Sequence, residues 1–220
     1  MAETQGGTTQ GAGAADISGL VIGVLGGTGD QGRGLARRLA LAGHKVIIGS
    51  RDAGRAAAAA NPVPRGADVV IVAVPYEGHK DLLTALAGTL AGKIVVDCVN
   101  PLGFDQQGAY PLPVPEGSAA QQAAAVLADS TVVGAFHHVS AVQLLDPQVS
   151  DLNQDVLVLG DDRKATDLVQ ALAAQLPGVR GVYAGRLRNC GQVEALTANL
   201  VSINRRYKAH AGLRVTDIGE

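Results

Sequence analysis

A chain of 220 residues with a formal net charge of −2 is long enough to bury a core, and it gives no reason to expect a nucleic acid or an anionic membrane as partner. Aromatic residues make up only 3%, so aliphatic side chains must fill the interior, as is typical of parallel strands buried on both faces. Cys98 and Cys190 form no metal-ligand spacing, and no apolar run is long enough to cross a bilayer. We therefore expect a cytoplasmic protein without a metal ion, in which residues 1–19 form a flexible N-terminal tail.

The strongest signal is a glycine-rich turn that follows an apolar strand predicted over Leu20–Leu25. The turn has the sequence GGTGDQG (residues 26–32) and leads into an amphipathic helix. Gly27, Gly29 and Gly32 match the Gly-x-Gly-x-x-Gly pattern of dinucleotide-binding proteins. In that pattern the first glycine permits the tight turn, the second lets the backbone approach a pyrophosphate, and the third lets the helix pack on the strand.

Three polar residues, Thr28, Asp30 and Gln31, line this turn. We expect their backbone N–H groups and the Thr28 hydroxyl to face phosphates, because a helix N-terminus attracts anions. Asp30 is unfavourable beside an anion, so its side chain should point to solvent. The alternative is a tight strand-to-helix turn that binds no ligand.

A second cluster of residues follows the strand predicted over 45–49 and favours NADP(H) over NAD(H). Ser50 and Arg51 come directly after this strand, where an NAD site usually has an acidic residue, and Arg55 lies one helical turn further on. A hydroxyl and guanidinium groups suit a ribose 2′-phosphate. The alternative is a solvated surface cluster in which Asp52 serves as the acidic residue of an NAD site.

Strands and helices alternate along the chain, which predicts an α/β fold with a doubly wound, Rossmann-like parallel sheet. Further strands are predicted over 69–74, 94–99, 131–136, 155–159 and 179–184, and helices over 31–42, 53–60, 77–90, 118–128, 162–176 and 190–207. Residues 100–117 are predicted as a loop. The region of the usual third strand, 56–68, is short and contains Pro62 and Pro64, so we predict that this strand is absent or vestigial.

Several residues at the carboxyl ends of these strands should meet in the ligand crevice of the sheet. Val74, Pro75 and Tyr76 end one strand, and Asn100 and Pro101 follow the next. Tyr76 either stacks on the cofactor or merely covers the end of the strand. The same two interpretations hold for Asn100 and Pro101.

His137 and His138 follow the next strand along the chain. Successive strand residues point to opposite faces, so we expect only one of them to face the crevice. Hydride transfer between two redox cofactors needs no strong acid or base, and we therefore expect a positioning role for His137. At the C-terminus, residues 204–208 are basic, which suits either an ordinary helix end or the capture of an acidic ligand tail.

Four segments of the chain resemble the NADPH-dependent coenzyme F420 reductases (F420H2:NADP oxidoreductases) of actinobacterial type. The segments are VLGGTGDQGRGLARRLALAGHKVIIGSRD, VIVAVPYEGH, AFHHVSA and SINRRYKAHAGLRVTDI. The resemblance implies reversible hydride transfer between NADP(H) and the deazaflavin, which are held face to face in the crevice. It also implies an NADP-binding domain over 20–150, a small C-terminal part over 151–220 that completes the deazaflavin site, and a homodimer.

The resemblance also implies roles for individual residues. Tyr76 and Ala141 are expected to flank the nicotinamide, while His137, Ala211 and Gly212 face the deazaflavin. Two other functions stay open: an NADP-dependent reductase of a small imine or ketone, and a non-catalytic NADP(H) sensor. The short segment over 56–68 favours the sensor, whereas the residues from His137 to Ala141 argue against it.

Overall fold

The computed structural model describes residues 15–49 and 66–218. The strands in these ranges are β1 Val21–Leu25, β2 Lys45–Gly49, β3 Val69–Val72, β4 Ile94–Asp97, β5 Leu102–Asp105, β6 Gly108–Pro111, β7 Thr131–Gly134, β8 Gln154–Gly160 and β9 Val179–Gly185. The helices are α1 Asp30–Leu41, α2 His79–Leu90, α3 Ala119–Val126, α4 Ala141–Leu145, α5 Arg163–Ala173 and α6 Cys190–Tyr207, with a short 3₁₀ turn at Leu187–Asn189.

Seven strands form one sheet in the order β2-β1-β3-β4-β7-β8-β9. All neighbours are parallel except β7 and β8, which are antiparallel. This confirms the predicted doubly wound α/β fold, with one antiparallel junction that the sequence did not indicate. The chain reverses its direction of winding between β1 and β3, so a crevice opens there at the carboxyl ends of the strands.

The sheet is covered on both faces, which explains why its central strands are continuously apolar. All four residues of β3, VVIV, are buried. Ile22 and Leu35 belong to the apolar cluster on one face, and Val70 and Leu83 to the cluster on the other. Such two-sided burial is the normal environment of a parallel sheet.

The predicted loop over 100–117 contains an antiparallel hairpin of β5 and β6. Asp105 closes its turn, because its Oδ1 accepts hydrogen bonds from the N–H groups of Gln107 and Gly108 at 2.7 and 3.1 Å. This short Asx turn is a hairpin signal that the Pro- and Gly-rich composition concealed. The hairpin packs against α6.

The two strands of the C-terminal segment, β8 and β9, continue the same sheet, and the tail after α6 returns to β8. There the Asp155 N–H donates to the Leu213 carbonyl at 2.7 Å, and the Asp155 carboxylate accepts two bonds from Arg180 at 2.7 and 2.8 Å. The tail therefore passes beside the carboxyl end of the sheet. Within the described ranges, no helix is long and apolar enough to span a membrane.

The helix predicted over 53–60 and most of the shortened segment over 56–68 lie outside the described residues, as does most of the N-terminal tail. On that side of the described sheet, β2 is the outermost strand.

Candidate functional site

A cavity of about 450 Å³ lies at the carboxyl ends of β1, β3, β4 and β7, where α6 closes one side. The predicted site residues that line it are Gly29, Asp30, Gln31, Val74, Pro75, Tyr76, Asn100, His137 and Ala211. The predicted residues that do not line it are Gly27, Thr28, Gly32, Pro101, Ala141 and Gly212. Ser50, Arg51 and Arg55 lie outside the described residues.

The glycine turn is built by close backbone contacts around Gly26. The positive φ of the turn, 79°, falls at Gly26 and not at Gly27, where we expected the tight turn. A Cβ at Gly26 would lie 2.2 Å from the Ala73 carbonyl oxygen, and a Cβ at Gly32 would lie 2.6 Å from the Gly26 carbonyl oxygen. Gly32 thus allows the close packing of α1 on β1 that its place in the pattern predicts.

The start of α1 has free N–H groups that can bind an anion. Its N-cap, Gly29, provides no side-chain hydrogen bond, and the first N–H groups of a helix have no partner within the helix. The Asp30 carboxylate is exposed and accepts a bond from Arg33 at 3.0 Å, so it points to solvent as predicted. Gln31 instead donates to the Phe136 carbonyl at 3.1 Å and ties the turn to the segment after β7.

A buried pair of His79 and Asp97 holds the β3–α2 loop that carries Tyr76. Nε2 of His79 lies 2.7 Å from an Asp97 carboxylate oxygen, and Nδ1 lies 3.2 Å from Oε1 of Gln122. Both partners accept hydrogen bonds, so both ring nitrogens must donate, which only the imidazolium can do. Burial lowers the pKa of His79, but the hydrogen bonds to Asp97 and Gln122 and the charges of Asp97 and Glu194 together outweigh it and raise the pKa overall.

Asn100 fixes the backbone at His137. Its Nδ2 donates to the His137 carbonyl at 2.7 Å, and the Thr197 hydroxyl also lies within 3.3 Å of that carbonyl. The Asn100 side chain is therefore held between β4, the segment after β7 and α6. Asn100 borders the cavity, but its Nδ2 group is already used in the hydrogen bond to His137.

Both His137 and His138 border the cavity, contrary to the expectation that only one would. The strand ends at Gly134, and Phe136 adopts a positive φ of 62°, so the alternation of side chains stops before the histidines. Neither ring nitrogen of His137 has a hydrogen-bond partner within the described ranges, nor has Nδ1 of His138. Burial lowers the pKa of each histidine to about 4, so both rings are neutral near pH 7.

Glu194 of α6 is a buried carboxyl behind His137. It is 2% exposed, and its two oxygens accept the N–H groups of Ala119 and Ala120 at 2.9 and 3.1 Å. Oε1 of Glu194 lies 4.0 Å from Nε2 of His137. Burial raises the pKa of Glu194 to about 7, although the two backbone bonds act in the opposite direction.

Sequence reasoning missed this face of α6. Its cavity-lining residues are Thr197, Leu200, Val201 and Asn204. Together with Cys190 and Glu194, Thr197 and Asn204 form one row of positions along the helix, with successive spacings of four, three and seven residues. That mixed polar row is the signal that could have identified the face. Asn204 also holds the returning tail, because its Oδ1 accepts the Ala211 N–H at 2.6 Å.

The basic end of α6 leaves both earlier interpretations open. Arg205 and Arg206 are exposed in its last turn, where the helix dipole favours cations. Arg214 instead donates to Oδ1 of Asn153 at 3.1 Å. Ile203 and Tyr207 are also exposed, at 40% and 72%, and do not pack on the sheet.

The chain is similar to F420-dependent NADP reductases over most of its length. The family model described as NADP oxidoreductase coenzyme F420-dependent matches residues 21–101. The F420-dependent NADP reductase of Methanothermobacter marburgensis is 37% identical over 225 residues, which cover 91% of this chain and 100% of that protein. The enzyme of the same name from Methanocaldococcus jannaschii is 37% identical over 90% of this chain and 99% of its own length.

Among solved structures, the chain is similar to one from Arthrobacter sp. FB24 that is described as an F420-dependent NADP reductase. The two share 27% identity with a TM-score of 0.77, over 90% of this chain and 100% of the other.

Proposed function

Because the chain belongs to the family of F420-dependent NADP reductases, we propose that it is an oxidoreductase that transfers a hydride reversibly between NADP(H) and the deazaflavin coenzyme F420. One observation carries this proposal. A single cavity is bordered by the uncapped start of α1, which suits a pyrophosphate, and by the buried imidazoles of His137 and His138. These suit a polar heterocycle, because three of their four ring nitrogens have no hydrogen-bond partner within the described residues.

On the NADP side, the residues present fit the cofactor. The glycine turn lets the backbone approach an anion. The Gly29 N–H already donates to the Gly26 carbonyl at 2.9 Å, so the N–H groups of Thr28, Asp30 and Gln31 would bind the phosphates. Val74, Pro75 and Tyr76 border the cavity at the end of β3, where they would support the nicotinamide together with Ala141. Ser50, Arg51 and Arg55 would hold the 2′-phosphate.

On the deazaflavin side, Asn100, Pro101, His137, Ala211 and Gly212 would shape the binding site. Asn100 fixes the His137 backbone, and Asn204 fixes Ala211, so both walls are set before a ligand binds. When both cofactors are bound, they supply the hydride chemistry themselves. The protein then has to hold the two rings face to face and exclude water. Positioning and desolvation are therefore how it increases the rate of hydride transfer.

Anaerobic mixing of the purified protein with NADPH and F420 tests this function. The expected result is loss of the visible absorbance of the deazaflavin, with NADP⁺ formed in equal amount. Tight NADPH binding without loss of absorbance would instead indicate a sensor. Oxidation of NADPH by small imines or ketones, but not by F420, would indicate the other reductase class.

Arg51→Ala is expected to weaken NADPH binding by about 1.5–3 kcal/mol and NADH binding far less, because a charge-assisted bond to the 2′-phosphate is lost. Calorimetric titration with each nucleotide measures the difference. Arg163→Ala is the matched control, since Arg163 is exposed on α5 and does not line the cavity. An equal loss of affinity for both nucleotides would refute the 2′-phosphate assignment.

The same proposal includes a cytoplasmic homodimer, with residues 20–150 binding NADP and residues 151–220 completing the deazaflavin site. Cys98 and Cys190 are free thiols, which agrees with a reducing compartment. Ile203 and Tyr207 on α6 and Phe104 on the neighbouring hairpin are exposed apolar side chains, which a partner subunit would cover.

A further inference from the structure

The environment of the His137 imidazole suits a group that transfers a proton. It is 3% exposed, borders the cavity, and has no hydrogen-bond partner on either ring nitrogen within the described ranges. A buried polar group without a partner costs about 1–3 kcal/mol. Nε2 lies beside Glu194. Nδ1 has no partner within the described ranges and is closed off from solvent, so a ligand reaches it only when the ring turns toward the cavity.

Glu194 is placed to exchange a proton with that ring. Its Oε1 lies 4.0 Å from Nε2 of His137, and its position is fixed by the N–H groups of Ala119 and Ala120 at the start of α3. A shift of about 1 Å would bring the carboxyl and the imidazole into hydrogen-bond range, and such contacts often tighten only when substrate is bound.

Resting on the function proposed above, we propose that Glu194 and His137 form a proton relay that serves the deazaflavin during hydride transfer. The reaction needs a proton as well as a hydride: NADPH, F420 and one H⁺ give NADP⁺ and F420H2. His137 donates the proton on Nδ1 to a nitrogen of the substrate and accepts one on Nε2 from the Glu194 carboxyl. Glu194 regains its proton from solvent, and His137 returns from the Nε2–H to the Nδ1–H tautomer before the next turnover. The reverse reaction runs the same steps backwards.

The charges around the pair suit this division of roles. Burial keeps His137 neutral, so the ring passes a proton on without holding a positive charge, and the carboxyl with its raised pKa stores the proton. The charge of Asp97 raises the pKa of Glu194, and that of His79 lowers it. His138 lowers the pKa of His137, and burial raises the pKa of the neighbouring Cys190 thiol, which therefore stays protonated.

The first test uses the protein without cofactors. NMR of labelled Glu and His side chains is expected to show one carboxyl that titrates near pH 7, with the His137 ring signals shifting at the same midpoint. Glu194→Gln should remove both transitions. Glu116→Gln is the matched control, because Glu116 accepts bonds from Lys80 and Gln122 and does not line the cavity.

The second test follows the pH dependence of single-turnover hydride transfer from NADPH labelled with deuterium at C4. In the wild type, the rate of F420 reduction should fall above pH 7 as Glu194 ionises. In Glu194→Gln, the rate at pH 6.5 should be about ten-fold lower and flat between pH 6 and 8. Glu116→Gln should keep the wild-type profile.

The outcomes separate the relay from the function it serves. A wild type that transfers no hydride overturns both proposals. Hydride transfer with an unchanged pH profile in Glu194→Gln overturns the relay alone and leaves Glu194 as a cap of α3. If Glu194→Gln does not fold, the NMR titration of the wild type tests the relay. A carboxyl that titrates near pH 7 while the His137 signals do not shift would contradict it.

Discussion

Gly26→Ala is expected to lower the free energy of unfolding by about 3–5 kcal/mol, because two penalties coincide at this position. The φ of 79° is unfavourable for any residue with a Cβ. The new Cβ would also lie 2.2 Å from the carbonyl oxygen of Ala73, which is backbone at the end of β3 and cannot rotate away. Chemical denaturation followed by circular dichroism measures the loss.

Gly29→Ala is the matched control in the same turn. Gly29 has φ −79° and ψ 163°, which alanine adopts readily, and the nearest atom to its new Cβ is 3.4 Å away. We expect its free energy of unfolding to change by less than about 0.5 kcal/mol. Its affinity for NADPH should nevertheless fall about ten-fold or more, because the methyl group would occupy the place where the backbone approaches the pyrophosphate. Equal stability losses for the two variants would contradict this account of the turn.

The parts of the fold that the sequence predicted well are those with one dominant local cause. The apolar run of β3 and the periodic pattern of α6 led to strands and helices close to the observed ones, and α6 has the predicted bounds. The glycine pattern identified the correct turn. It placed the positive φ one residue too late, because the deciding contact, between Gly26 and Ala73, joins residues far apart in the sequence.

The site was predicted less completely, because its remaining features depend on tertiary contacts. Both histidines border the cavity because the chain turns at Phe136, and no local sequence pattern predicts that turn. The burial of Glu194 depends on the docking of α6 against the start of α3. A carboxylate in a helix is usually exposed, so its role became visible only when the helix was placed.

Asp97→Asn is expected to lower the free energy of unfolding by about 3–5 kcal/mol, because it leaves the buried charge of His79 without its partner. The two side chains are fully buried and lie 2.7 Å apart. Asp129→Asn, on an exposed residue, should change the stability by less than about 0.5 kcal/mol. In a His79→Gln background, the further loss caused by Asp97→Asn should be smaller by about 2 kcal/mol or more, which a double-mutant cycle would measure.

The pH dependence of this loss identifies its electrostatic origin. The pKa of His79 is raised in the folded protein, so its pairing with Asp97 contributes fully below the unfolded value of 6.5 and is lost as the pH rises through the folded value. The cost of Asp97→Asn should therefore be largest at pH 6 and shrink toward pH 9. The charge of Asp97 also raises the pKa of Glu194 and of His137, so the same comparison in a Glu194→Gln background isolates the contribution of His79. Denaturant titrations of wild type and variant at intervals of one pH unit measure this cost. A cost that stays constant over that range would show that packing, and not the buried charge, accounts for the destabilisation.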